Sequence, residues 1–115
     1  MRRGDIVTAA ASGDYGKPRP ALIIQHDLYA ALPSVTVLPL TSFLEDAPLL
    51  RITIQPDDKN GLKKPSQVMV DKIVTLPRAR IGVAIGRIDV ETSAAVDLAL
   101  RRFLNLPAYP GAGGL

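Results

Sequence analysis

Short apolar runs separated by turn-forming residues dominate the chain, and the alternation along them has the two-residue period of β-strands. From Asp5 to Ala10, Ile6 and Thr8 alternate with Val7 and Ala9, and the run stops at the turn-forming loop Ala11-Ser12-Gly13-Asp14-Tyr15-Gly16. Pro20 to Gln25 predicts a second strand, and Val35 to Leu40 a third that ends at Thr41-Ser42. Leu49 to Ile54 predicts a fourth, with Leu50, Ile52 and Ile54 on one face, followed by a turn at Asn60-Gly61, where glycine supplies positive φ cheaply. Gln67 to Ile73 and Ile81 to Ile88 complete the strands, with Thr75-Leu76-Pro77-Arg78 read as the turn between them. Strands this short and this regularly punctuated predict a mainly β fold: a small barrel or strongly bent sheet.

The last periodic segment has a different spacing. Val96, Ala99, Leu100, Phe103 and Leu104 recur at i, i+3, i+4, i+7 and i+8, which predicts an amphipathic helix from about Asp89 to Leu106, packed through Val96, Leu100 and Phe103. Asp89 is its expected N-cap, Glu91 suits the first turn, Arg101 and Arg102 suit the last, and Pro107 is expected to end it. Residues 1–107 therefore read as one domain. Residues 108–115, rich in Gly and Pro, read as a flexible tail.

Composition narrows the classes of function. With 47% hydrophobic and 22% charged residues the chain is neither disordered nor membrane-spanning, and no apolar run reaches the roughly 18 residues a spanning helix needs. A cytoplasmic location is expected. There is no cysteine, so disulfides and thiolate chemistry are excluded. The one histidine, His26, cannot supply a two-histidine ribonuclease mechanism and reads as a surface residue at a strand end. No residues have metal-ligand spacing, and neither GxxxxGK[ST] nor GxGxxG occurs. The net charge of +3 is modest, yet Lys17, Arg19, Lys59, Lys63, Lys64, Lys72, Arg78, Arg80 and Arg87 gather in loops and at strand ends, where they favour phosphates. Taken singly, Lys59, Lys63 and Lys64 read as ordinary solvated loop lysines.

Lys17-Pro18-Arg19-Pro20-Ala21-Leu22-Ile23-Ile24-Gln25 is the most constrained segment. Pro18 has a fixed φ, and Pro20 drives Arg19 towards extended backbone. Arg19 thus starts a strand with little backbone freedom and offers a planar fork of donors suited to phosphate. Two readings follow, an anion-binding element or a strand entry whose arginine is merely solvated.

Four segments in order resemble the MazF/PemK-type toxins of type II toxin-antitoxin modules, from about Arg3 to Leu106. They are Arg3-Gly4-Asp5-Ile6-Val7, Gly13-Asp14-Tyr15-Gly16-Lys17 running into Pro18-Arg19-Pro20, Leu38-Pro39-Leu40-Thr41-Ser42, and Pro65-Ser66-Gln67-Val68-Met69-Val70-Asp71-Lys72-Ile73-Val74-Thr75. The resemblance implies a CcdB-like, SH3-related barrel with a C-terminal helix. It also implies a homodimer that cleaves single-stranded RNA without metal or other cofactor and is held inactive by a cognate antitoxin protein. Arg19 and Thr41 fall on the family's catalytic arginine and threonine. Asp14, Tyr15, Gly16 and Lys17 fall in the loop over the site, Ser42 beside Thr41, and Lys72 and Thr75 in the counterpart of a Gln-Ile-Arg-Thr segment. That counterpart reads Lys72-Ile73-Val74-Thr75 here, losing the glutamine and the arginine, which leaves the cleavage sequence open.

Two alternatives differ in class. A gyrase-poisoning toxin of the same fold would bind a protein and cleave nothing, but the chain has no tryptophan for the Trp-Gly-Ile end of that group. A non-catalytic barrel binding single-stranded nucleic acid would respond to salt and ignore 2′-deoxy substitution.

Overall fold

In the computed structural model, which describes residues 1–10 and 17–107, the sheet is organised around its longest strand. Seven strands are described: β1 (Asp5–Ala9), β2 (Arg19–Ile23), β3 (Ser34–Thr41), β4 (Arg51–Ile54), β5 (Ser66–Met69), β6 (Val74–Pro77) and β7 (Ile81–Arg87). The helix α1 (Val90–Phe103) follows them. One edge of β3 pairs antiparallel with β2, while its other edge is shared, β6 taking Ser34 to Val37 and β5 taking Leu40 and Thr41. The resulting order is β4-β5-β3-β2-β1-β7, with β6 beside β3. Asp14, Tyr15 and Gly16, and the tail 108–115, lie outside the described residues.

Bending at β3 divides the apolar residues into two clusters, one on each face. Val7, Ala9, Ala21, Ile23, Val35, Val37 and Leu76 form one, inside the curl made by β1, β2, β3 and β6. Ile6, Leu22, Leu38, Leu40, Val68 and Val70 form the other, closed by Val96, Ala99 and Leu100 of α1. Each of the larger side chains contributes about 1.5–3 kcal/mol when fully buried. This double coverage explains why Ile6 and Val7, neighbours pointing to opposite faces, are both fully buried.

Two sequence expectations are corrected. The strand from Gln67 stops at Met69, a 3₁₀ turn covers Val70–Lys72, and the supposed turn at Thr75-Leu76-Pro77-Arg78 is largely β6, which pairs Thr75 with Thr36 and Leu76 with Val35. Pro77 is tolerated because β6 pairs only with β3 and Pro77 ends it. The helix ends at Phe103 rather than Leu106, and Phe103 is 44% exposed instead of packing. Ala99 takes the expected place between Val96 and Leu100, since Phe103 falls in a last turn that has run past the buried stretch.

Both helix ends are closed by hydrogen bonds. Asp89 Oδ1 accepts from the Thr92 amide at 2.7 Å, and that bond, with a second from the Thr92 hydroxyl, holds the Asp89 carboxyl below its usual range. At the other end Asn105 takes φ 54°, with its N–H on Arg102 O and the Leu106 N–H on Arg101 O. This is a Schellman closure with asparagine in the left-handed position, so Asn105 terminates the helix before Pro107 is reached. An ion pair between Arg3 and Asp97, 2.7 Å, ties the chain's start to α1.

Candidate active site

The pairing of β2 with β3 sets Ala21 opposite Pro39, Leu22 opposite Leu38 and Ile23 opposite Val37. That pairing stops at Ala21 and Pro39, and Arg19, the first residue of β2, and Thr41, the last of β3, lie two residues beyond it at the ends of neighbouring strands. On their outer sides Arg19 pairs with Ala9 and Thr41 with Gln67. Arg19 is exposed and Thr41 half-buried, which suits groups that must meet a ligand.

A cleft of about 660 Å³ opens at these strand ends. Its polar lining includes Arg19, Thr41, Ser42, Lys63, Lys64 and Ser66, and its apolar lining includes Leu40, Phe43, Leu62, Met69 and Ile85. Of the residues singled out in the sequence, Arg19, Thr41 and Ser42 come together here. Lys17 is exposed two residues before Arg19 and does not line the cleft. Neither does Lys72, exposed on the 3₁₀ turn with its Nζ 3.9 Å from Asp71, nor Thr75, whose hydroxyl is 2.6 Å from that of Thr36 on β6's side of the sheet. His26 is exposed and caps a short 3₁₀ turn, its Nδ1 accepting from the Leu28 amide at 2.9 Å.

Two loops shape the cleft, and each is fixed by a buried polar side chain. Gln67, 6% exposed, holds the segment after Thr41: its Nε2 donates to Glu45 O at 3.0 Å and to Thr53 Oγ1 at 3.1 Å, while its Oε1 accepts from the Glu45 amide at 3.0 Å. Arg51 joins in, donating to Gln67 Oε1 at 3.3 Å and to Phe43 O at 3.5 Å. The Phe43 amide donates to Thr41 Oγ1 at 3.0 Å, which occupies one lone pair of that hydroxyl and leaves its proton free to donate outward.

The second loop carries the lysines. Buried Asn60 accepts from the Leu62 amide at 2.9 Å and donates to Gln55 O at 2.9 Å. Gly61 follows at φ 72°, where a Cβ would lie 2.1 Å from Ile85 O, so only glycine fits. Lys63 and Lys64 follow this turn, exposed as the sequence reading has them and lining the cleft. Gln67 and Phe43 were not singled out at all. The signal for Phe43 was present, an aromatic directly after Thr41-Ser42, whereas nothing local marks Gln67 as a loop clamp.

An antiparallel β protein with one closing helix has, at its strand ends, a cleft that combines a guanidinium, two lysines, hydroxyls and apolar surface, an arrangement able to hold a polyanion that also has apolar faces. Residues 2–104 match the model of the PemK-like, MazF-like toxins of type II toxin-antitoxin systems, and the chain belongs to that family. It is 50% identical over 107 residues to a probable endoribonuclease MazF of Mycolicibacterium smegmatis, covering 92% of this chain and 98% of that protein. The endoribonuclease EndoA of Bacillus subtilis is 28% identical over 111 residues, 92% of this chain and 96% of that one. Among solved structures, the Mycobacterium tuberculosis toxin MazF-mt6 superposes with a TM-score of 0.77 at 27% identity, covering 90% of this chain and 99% of that chain. A MazE-MazF structure from Deinococcus radiodurans gives 0.76 at 20% identity, covering 93% and 97%, and bears on the fold alone. The sequence-based reading of an endoribonuclease toxin with this fold is therefore borne out, and neither alternative class finds support among these relatives.

Proposed function

We propose that the chain cleaves single-stranded RNA, mRNA above all, by attack of a ribose 2′-OH on the adjacent phosphorus. The bond from phosphorus to the 5′-oxygen breaks, leaving a 2′,3′-cyclic phosphate and a 5′-OH; the proton lost from the 2′-OH is balanced by the one gained by the leaving oxygen. The substrate brings its own nucleophile, so the protein's task is alignment and stabilisation of charge growing on the phosphate oxygens. Arg19 supplies that stabilisation. Thr41 donates its free hydroxyl proton to the phosphate, with Ser42 beside it as a second donor. The observation that carries this reading is that Arg19 and Thr41, at the ends of neighbouring strands, line one cleft together with Lys63 and Lys64.

Lys17, two residues before Arg19, attracts the RNA phosphates, and Tyr15 of the preceding Asp14-Tyr15-Gly16 segment offers an aromatic face on which an unstacked base lies. Lys72 and Thr75, on the other half of the sheet, meet only RNA that extends past the cleft. The working form is a homodimer acting in the cytoplasm and silenced by a cognate antitoxin; an endoribonuclease from a mycobacterial species is itself solved in complex with its cognate antitoxin. Among the described residues no helix is long and apolar enough to cross a membrane.

The deciding experiment uses paired oligonucleotides, all-ribose and with 2′-deoxyribose at the scissile position. Cleavage of the first to cyclic-phosphate and 5′-OH ends, unchanged by EDTA, with the second intact, is the expected result. Cleavage of the deoxy substrate overturns the mechanism.

A further inference from the structure

Phe43 has no role in the mechanism above, and its surroundings do not account for it. Its ring is 74% exposed, although it lines the cleft next to Thr41 and Ser42. A phenyl ring in water forgoes the burial that stabilises large apolar residues elsewhere in a fold. Yet its backbone is held at both polar groups, the N–H on Thr41 Oγ1 at 3.0 Å and the carbonyl by Arg51 at 3.5 Å, and Gln67 pins Glu45 two residues on. The ring is thus presented from a stapled turn, with little backbone entropy left to lose on binding. The same cleft carries Lys63 and Lys64, the cations a phosphate backbone needs.

Resting on the RNA-cleavage reading, we propose that Phe43 is the platform on which a nucleobase next to the scissile phosphate stacks, while Lys63 and Lys64 hold flanking phosphates. Every base has a π-face, so such a platform adds affinity and fixes the strand without choosing its sequence. An aromatic ring in one cleft with two lysines fits a single strand with its bases unstacked.

The test places 2-aminopurine, one position at a time, within two nucleotides of the mapped cleavage site of an oligonucleotide that carries 2′-deoxyribose at the scissile position. Wild type quenches the fluorophore at one position; Phe43→Leu loses that quenching and binds about 5- to 150-fold more weakly; Phe43→Trp retains both. With cleavable RNA, Phe43→Leu raises KM far more than it lowers kcat. Wild-type quenching and affinity in Phe43→Leu, while wild type still cleaves RNA, overturns the platform and leaves the enzyme reading standing. A wild type that cleaves no RNA overturns the enzyme reading itself. If Phe43→Leu weakens only the binding of an antitoxin peptide, the ring serves a protein partner and the platform is refuted.

Discussion

Arg19 and Thr41 stand at the ends of neighbouring strands and line one cleft, so each can be truncated with little loss of packing. Arg19 is exposed at the first position of β2, and Thr41 is half-buried at the last of β3. Removing one well-placed charge-stabilising donor costs about 100- to 1000-fold in rate. Arg19→Ala and Thr41→Ala are expected to lose cleavage on that scale with circular dichroism unchanged, and Arg19→Lys to fail as well, because an ammonium keeps the charge without the planar fork. His26→Ala, remote from the cleft, should cleave as wild type; a loss comparable to that of Arg19→Ala would move the chemistry elsewhere. Gln67 behaves oppositely. Its buried amide serves Glu45, Thr53 and Arg51, and Gln67→Leu strands those partners at a cost of about 1–3 kcal/mol, to be read from the denaturant midpoint.

Among the elements, what the sequence makes legible is what local physics decides. The alternation in β1 to β3, the apolar spacing of α1 and the Asp89 cap all depend on neighbours within a few residues, and all appear in the structure. β6 was hidden because Pro77 is a turn former by local rules and a strand end only by virtue of its pairing with β3. That Lys63 and Lys64 border the cleft was not legible for a similar reason: only the close approach of Gly61 to β7 decides where that turn lies. The Asp89 cap also makes a pH prediction. A carboxyl held below its usual 3.8 by the Thr92 amide stabilises the fold above that value, and the contribution fades as pH falls through the lowered one. Asp89→Ala should therefore melt below wild type at pH 7, with the gap closing under acid conditions below about pH 4. Asp89→Asn, which retains a side-chain acceptor, should melt closer to wild type at pH 7. A gap that is constant down to pH 2 would assign the cap no charge-dependent role.

For the whole molecule the relevant balance is a small net charge, +3, set against cations focused on one cleft. Binding of single strands should weaken with salt, and removing Lys63 and Lys64 together should flatten the log–log slope by about 1.4, roughly 0.7 for each lost phosphate contact. The same cleft with its exposed Phe43, and the exposed Leu44 next in the chain, suit an extended protein segment bearing carboxylates and apolar side chains, the chemistry by which a disordered antitoxin tail could fold onto a basic surface. Inhibition by occlusion then makes RNA and antitoxin mutually exclusive. The apparent Kd for an uncleavable deoxy-substituted strand should rise in proportion to free antitoxin peptide, and saturating RNA should displace that peptide in return. A ternary complex of toxin, peptide and RNA, with RNA affinity unchanged, would place the antitoxin away from the cleft and make its inhibition a matter of conformation instead of occupancy.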